Sequence, residues 1–230
     1  DRILRTVAHD LRNPLGRVAS LISAIVDDAT NRPAQMELLK IIKETHLDSM
    51  ELINQIMADT DINPVELQKS TVEINLLLSN SVELMRFKAA EKNQKITLNT
   101  LESPEYLLIS REKIWRVISN LISNAIKFSP VGKDICVNVI DMKTDIQISV
   151  HDWGIGIPHH IKNKVFNMFT DAKRPGTLGE KSFGLGLSIC RQIIEKHHGK
   201  IWFESTPQEG TTFYIRLSKT NTPAPDVIPV

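Results

Sequence analysis

The string NLISNAIKFS places Asn120, Asn124 and Lys127 at helical spacing, so two amides and one ammonium project from one helix face. Amide carbonyls are hard oxygen ligands of the kind Mg²⁺ accepts when phosphates and water fill its other positions, and a lysine supplies a point charge for phosphate oxygens. Downstream, DWGIGIP sets Asp152 at the end of an apolar run, ahead of Gly154, Gly156 and Pro158. Glycines admit close approach of the backbone to a flat ligand, and one carboxylate can accept a hydrogen bond from an exocyclic amine such as adenine N6. In FGLGLSI, Gly184 and Gly186 open an apolar helix whose first N–H groups and dipole face anions. The intervening residues 167–182 are polar, with Lys173, Arg174, Pro175, Gly176 and Gly179 and few apolar anchors. They read as a mobile lid with cations available to phosphates.

Taken singly, each string has an ordinary reading: a solvated polar face, a turn, a helix start, a surface loop. Their order and spacing together point to a nucleotide. A fourth string, AHDLRNPLGRV, carries His9, Asp10, Asn13 and Pro14. An imidazole can attack phosphorus through one ring nitrogen if a neighbour takes or orients the proton on the other, and Asp10 is adjacent. Alone, His9 would read as a surface histidine; with Asp10, Asn13, Pro14 and a downstream nucleotide site it reads as a phosphoacceptor. Pro14 lacks an amide hydrogen and is expected to bend or loosen its helix just beyond the histidine. His46, His159, His160, His197 and His198 carry no such context; the last pair, before Gly199, reads as a helix end where cations are favoured.

These residues need elements to position them. Ile3, Leu4, Val7, Leu11, Leu15, Val18, Leu21, Ile22 and Ile25 predict one amphipathic helix over residues 1–29. Leu38, Ile41, Ile42, Met50, Ile53 and Ile56 lie on a second that ends near residue 59. Two helices cannot bury stripes this wide alone, so a hairpin that pairs with a second copy as a four-helix bundle is expected, which makes the chain a homodimer. Beyond residue 64 strands and helices mix: strands near 72–74, 96–98, 107–109, 135–140, 146–150, 200–204 and 212–217, and helices near 76–91, 111–128, 161–166 and 183–198. That mixture predicts an α+β sandwich of one sheet and one helical layer. Residues 220–230, with three prolines, read as a tail or linker.

With 28 basic against 27 acidic side chains, the net charge of +1 gives no field to recruit nucleic acid. Cys136 and Cys190 have no Cys or His at metal-ligand spacing, so neither a zinc site nor a disulfide framework is indicated and a reducing compartment is expected. No stretch approaches the roughly 20 apolar residues that cross a bilayer. Asp1–Leu4 already read as helix without a cap, so the chain is expected to be part of a longer protein, with any membrane contact made by other parts of it. The expected setting is the cytoplasmic portion of a protein anchored, if at all, in the bacterial inner membrane.

The three downstream strings, with Phe166 and Phe169 between them, resemble the N, G1, F and G2 boxes of the sensor histidine kinases, and AHDLRNP resembles that family's phosphoacceptor box. The likeness over residues 71–218 extends to the wider superfamily of gyrase, a heat-shock chaperone and a mismatch-repair protein. It implies a dimerisation and histidine phosphotransfer domain over 1–64 and a catalytic ATP-binding domain over 65–219. It further implies ATP held by Asn120, Asn124, Lys127, Phe128, Asp152, Gly154, Gly156, Ile157, Gly184, Leu185, Gly186 and Thr211, with Mg²⁺ on Asn124. Asp152 and Thr211 would take adenine, and His9, with Asp10, would take the γ-phosphoryl group and pass it to an aspartate of a response regulator receiver domain. Asn13 occupies a position that, in the family, orients water for removing phosphate from that partner, which implies a phosphatase as a second activity. Where many members have Gly-Thr before Gly-Leu-Gly-Leu, this chain has Ser182-Phe183, and the bulk of Phe183 is expected to reduce flexibility there. Two rivals stand beside this: a nucleotide-binding dimeric scaffold without phosphotransfer, and an ATP-driven clamp. The clamp relatives would be expected to carry a carboxylate at Asn120.

Overall fold

The computed structural model describes residues 16, 18, 20–22, 25, 35–39, 41, 42, 45, 67–167, 174–180 and 184–219. The chain divides into two compact units, Asp1–Pro64 and Val65–Val230. In the first, all the described residues are helical, in keeping with both predicted helices as far as they are described. Ser20 Oγ donates to the Gly16 carbonyl at 3.1 Å and Thr45 Oγ1 to the Ile41 carbonyl at 2.7 Å. This bonding back by one turn is how hydroxyl side chains are accommodated inside a helix. Ile22, Met36 and Leu39 are exposed on the single chain. His9, Asp10 and Asn13 lie outside the described residues.

The second unit is an α+β two-layer sandwich. In chain order it comprises β1 (Ser70–Glu73), α1 (Ile74–Ala90), β2 (Ile96–Asn99), β3 (Tyr106–Ile109), α2 (Arg111–Phe128), β4 (Ile135–Asp141), β5 (Asp145–Asp152), a 3₁₀ helix (His159–Lys164), α3 (Gly186–Lys196), β6 (Lys200–Thr206) and β7 (Gly210–Ser218). Five strands form one sheet in the order β2-β4-β5-β7-β6. Only β2 and β4 are parallel; the other neighbours are antiparallel. The expectation of a single sheet is corrected by β1 and β3, which pair with each other as a separate antiparallel ribbon. The reason is local: β1 runs directly into α1, where the Glu73 carboxylate accepts the Asn75 and Leu76 N–H groups at 2.8 and 2.7 Å and so caps the helix.

Helix α2 is the centre of the helical layer, against α1, α3 and β5. Ile114, Val117, Ile118, Leu121, Ile122, Ala125 and Ile126 follow the helical period and are all buried. Each isoleucine there contributes about 1.5–3 kcal/mol by leaving water, so this face fixes the helix and leaves Asn120, Asn124 and Lys127 on its flank. On β5, Ile146, Ile148 and Val150 point into the same core, and on β7 Phe213, Ile215 and Leu217 do so. Strand alternation extends these two series by one step to Asp152 and Thr211.

Two predicted helices differ from expectation. Residues 161–166 were expected to be helical, and the structure has a 3₁₀ helix over His159–Lys164 with Ile161 as its buried residue. One apolar anchor behind Pro158 is too little for a full α-helix. The next helix begins at Gly186 rather than near 183, because Gly184 has φ +74°, which no right-handed helix contains. At its far end His197 is at the helix C-terminus as expected, but not as the cation favoured there. It is buried, its Nδ1 lies 2.8 Å from the Ile193 carbonyl, and its Nε2 accepts the Ser110 N–H at 3.0 Å. Burial pushes its pKa down.

Candidate nucleotide-binding site

Asp152 and Thr211 are directly paired across β5 and β7, so two side chains distant in sequence meet at one end of the sheet on its helix-facing side. Asp152 is 4% exposed and Thr211 5%. Burial pushes the Asp152 carboxyl up to about 6, opposed by backbone N–H groups of Gly154 and Thr211 and by the Arg174 guanidinium. The Gly154 N–H reaches Oδ1 at 2.9 Å. This is a carboxylate placed where its charge is costly, with one oxygen held by the turn that follows.

Ser205 holds that turn from the other side. Its hydroxyl donates to the Gly210 carbonyl at 2.9 Å and lies 2.8 Å from both Thr211 Oγ1 and the Ile157 N–H. With one proton and two lone pairs it is fully used, so Thr211 is the donor in their pair. Gly154 and Gly156 serve this packing as much as any ligand. A Cβ at Gly154 would meet the Phe128 carbonyl and lie 2.6 Å from Asp152 Oδ1, and one at Gly156, where φ is +63°, would meet the Thr206 carbonyl. The adjacent Ile155 N–H donates to the Phe128 carbonyl at 3.1 Å, which docks the turn on the end of α2.

On the flank of α2, Asn124 Nδ2 donates to Asn120 Oδ1 at 3.0 Å. Gly186, the first residue of α3, sits against that same Asn120 amide, where a Cβ would collide with it. Among the described residues no side-chain cap bond is made at the start of α3, whose cap position is the buried Leu185, and such a helix start suits an anion. Lys127 Nζ and Arg174 Cζ lie 5.7 and 5.4 Å from the Phe128 ring centroid, two cations on one aromatic ring. Phe166 packs 5.8 Å from Phe203 and 6.4 Å from Phe213; Phe169 lies outside the described residues.

The described structure thus brings Asp152, Thr211, Gly154, Gly156 and Ile157 together around the β5–β7 end, and Asn120, Asn124 and Gly186 together at the α2–α3 contact. Sequence reasoning passed over Ser205, Lys92, Thr177 and Glu180. Ser205 lies in ESTPQEG, which reads only as a turn, and Lys92 in EKNQK, which reads as solvated charge. Among the described residues no cluster of His, Cys, Asp or Glu is arranged to hold a metal, and no helix is long and apolar enough to cross a membrane.

A buried strand-end carboxylate, an amide-bearing helix and an uncapped glycine-started helix over one mixed sheet define an ATP-binding class. Residues 109–221 match the histidine kinase-, DNA gyrase B-, and HSP90-like ATPase family, and residues 1–64 match the His Kinase A (phospho-acceptor) domain. The catalytic domain of histidine kinase ThkA is 32% identical with a TM-score of 0.58, covering 66% of this chain and 95% of that one. The chain belongs to the sensor histidine kinases. It is 30% identical to the adaptive-response sensory kinase SasA of Gloeothece citriformis over 94% of its own length, and spans 57% of that relative. The structure of ThkA in complex with response regulator protein TrrA superposes with a TM-score of 0.78 and 26% identity, covering 96% of this chain and 62% of that one.

Proposed function

We propose that this chain binds Mg-ATP in its second unit, phosphorylates His9 and passes the phosphoryl group to an aspartate of a response regulator. The observation that carries the reading is the buried Asp152–Thr211 pair at the β5–β7 end, taken together with the Asn120–Asn124 amides at the start of α3. Residues 1–64 act as the dimerisation and phosphotransfer domain and 65–219 as the catalytic domain. Asp152 accepts the adenine amine with Thr211 beside it, while Gly154, Gly156 and Ile157 supply backbone at the base. Lys127, Phe128, Gly184, Leu185 and Gly186 serve the phosphate end.

Asn124 spends its amide nitrogen on Asn120 and so offers its carbonyl oxygen to Mg²⁺, whose charge would offset that of the phosphates. His9 donates a ring-nitrogen lone pair to the γ-phosphorus as the bond to the ADP oxygen breaks, and Asp10 orients or takes the proton on the other nitrogen. Positioning and charge stabilisation account for most of such a transfer. Exposed Ile22, Met36 and Leu39 support the homodimer, and the ThkA–TrrA complex supports a receiver domain as partner. Asn13, close to His9 in sequence, would direct water in the reverse, dephosphorylating step.

The test is incubation with γ-labelled ATP of the wild type and of His9→Ala. Acid-labile, alkali-stable label on the wild type, absent from a variant that still binds ATP, is the expected result. Unlabelled wild type, or label that persists in His9→Ala, overturns the reading.

A further inference from the structure

The C-terminal end of α2 is closed by groups from two other segments. Lys92, just beyond α1, is buried, and its ammonium faces four oxygens: the Ile126 carbonyl at 3.0 Å, the Lys127 carbonyl at 3.2 Å, Thr177 Oγ1 at 2.7 Å and Glu180 Oε1 at 3.0 Å. Three ammonium protons are shared over these four acceptors, two of which are helix-end carbonyls where a cation is favoured. Thr177 extends the link, its N–H donating to the Lys127 carbonyl at 3.0 Å and its hydroxyl to the Ser129 carbonyl at 2.7 Å. The other carboxylate oxygen of Glu180 accepts the Leu178 N–H at 2.8 Å, and the Gly176 N–H donates to the Glu180 carbonyl at 2.8 Å. The turn from Arg174 to Glu180, expected to have few apolar anchors, is clipped to α2 by polar ones. At its start the Arg174 guanidinium lies over the Phe128 ring, with Cζ 5.4 Å from the centroid, and acts on the Asp152 carboxylate.

We propose that Lys92 is a positioning residue for the nucleotide. By holding Thr177 and Glu180 on the last carbonyls of α2, it keeps Arg174 beside Phe128 and Asp152, and the Lys127 backbone fixed, before ATP arrives. Lys92 itself touches no substrate. The inference deepens the ATP reading above and rests on it. Without the clip, the turn samples other arrangements, and the apparent affinity falls by the fraction that remains competent. Once ATP has selected the competent arrangement, the transfer step proceeds as before.

The expected signature in the full chain is a split between KM and kcat. Glu180→Gln and Lys92→Met each raise the KM for ATP in His9 phosphorylation, Lys92→Met by about tenfold, with kcat at saturating ATP within about twofold of wild type. Equilibrium binding of a fluorescent ATP analogue should weaken by the same factors. The double variant should cost no more than Lys92→Met alone, because both remove one link. Should Lys92→Met fail to fold, Glu180→Gln and Thr177→Val carry the same test. Unchanged KM in the folded variants, a fall in kcat with KM unaltered, or full additivity in the double variant overturns the proposal. A wild type that binds no nucleotide overturns the ATP reading and this inference with it.

Discussion

Asp152 and Lys92 are both buried charges at the edge of the same core, and they are partnered in opposite ways. Lys92 has four oxygens around its ammonium, from a helix end, a hydroxyl and a carboxylate. Asp152 has the Gly154 N–H on one oxygen at 2.9 Å and is also favoured by the Thr211 N–H and the Arg174 guanidinium, yet burial outweighs them and pushes its carboxyl up to about 6. A buried charge that the protein satisfies itself holds the structure together; one left short of partners is a place where a ligand completes the set. The difference separates the part of the site that binds from the part that supports it, and substitution at the two positions tests it from both sides.

The largest effect is expected at the short-handed charge. Asp152→Ala should weaken ATP binding by about 100-fold or more, near 3 kcal/mol, as expected for a lost charge-assisted bond in a buried site. Stability at pH 7.5 should fall by no more than about 1 kcal/mol, since an ill-compensated charge leaves with the side chain. Equilibrium binding and denaturant unfolding measure the two. Equal losses in both would place Asp152 among the structural charges and erase the contrast.

Lys92→Met should show the reverse weighting. Breaking a buried pair by removing one partner strands the other groups; with the Glu180 side chain 35% exposed, water rescues part of the loss, and about 2 kcal/mol of stability is expected to go. Denaturant titration of the second unit reads this. A Lys92→Met protein as stable as wild type would mean that the four oxygens are equally content with water.

The same contrast explains what the sequence could and could not say. Asp152 is legible from the string DWGIGIP at the end of an apolar run, while Thr211 is reached only through the family resemblance; the structure sets Asp152 in phase with Ile146, Ile148 and Val150 and Thr211 in phase with Phe213, Ile215 and Leu217. Period-2 alternation carries a polar residue into the core side without any knowledge of the partner strand. Arg111–Phe128 is equally legible from its apolar period. Lys92 is not, because its partners come from α2 and from a turn 85 residues or more along the chain, and nothing near EKNQK distinguishes a buried lysine from a solvated one. Ser205 is hidden for the same reason: its three contacts are made through a turn and a neighbouring strand end, which local pattern does not encode. The separate β1–β3 ribbon escaped notice because four-residue strands carry too few alternations to state their partner.

The third effect is a pH dependence of binding. The ionised Asp152 is the form that accepts an amine, and its pKa lies near 6 without ligand. ATP affinity should therefore be flat above pH 7 and fall as pH drops below about 6, by at most about tenfold per pH unit. Asp152→Asn should bind weakly at all pH values with that slope removed. A slope that survives in Asp152→Asn would assign the titration to another group.

The smallest effect sharpens the contrast from outside the site. His197 bridges α3 to the start of α2 as a neutral imidazole, with Nδ1 against the Ile193 carbonyl and Nε2 accepting the Ser110 N–H. Protonation would set an N–H against that N–H, so the folded-state pKa is held below the ordinary 6.5, chiefly by burial. A depressed histidine means that the unfolded chain takes up the proton first. Its contribution to stability is therefore complete above pH 6.5 and is lost as pH falls below that, by at most about 1.4 kcal/mol per pH unit. Asp152 acts with the opposite sign, since a raised carboxyl contributes stability that is present below its ordinary 3.8 and is lost as pH rises through about 6. Between pH 5 and 6 the two slopes partly cancel in the wild type. His197→Gln should expose the Asp152 slope alone, leaving a protein that becomes more stable as pH falls over that range, by urea unfolding at stepped pH. A variant whose stability still falls with acidification, as in the wild type, would mean that a group other than His197 sets the slope over this range.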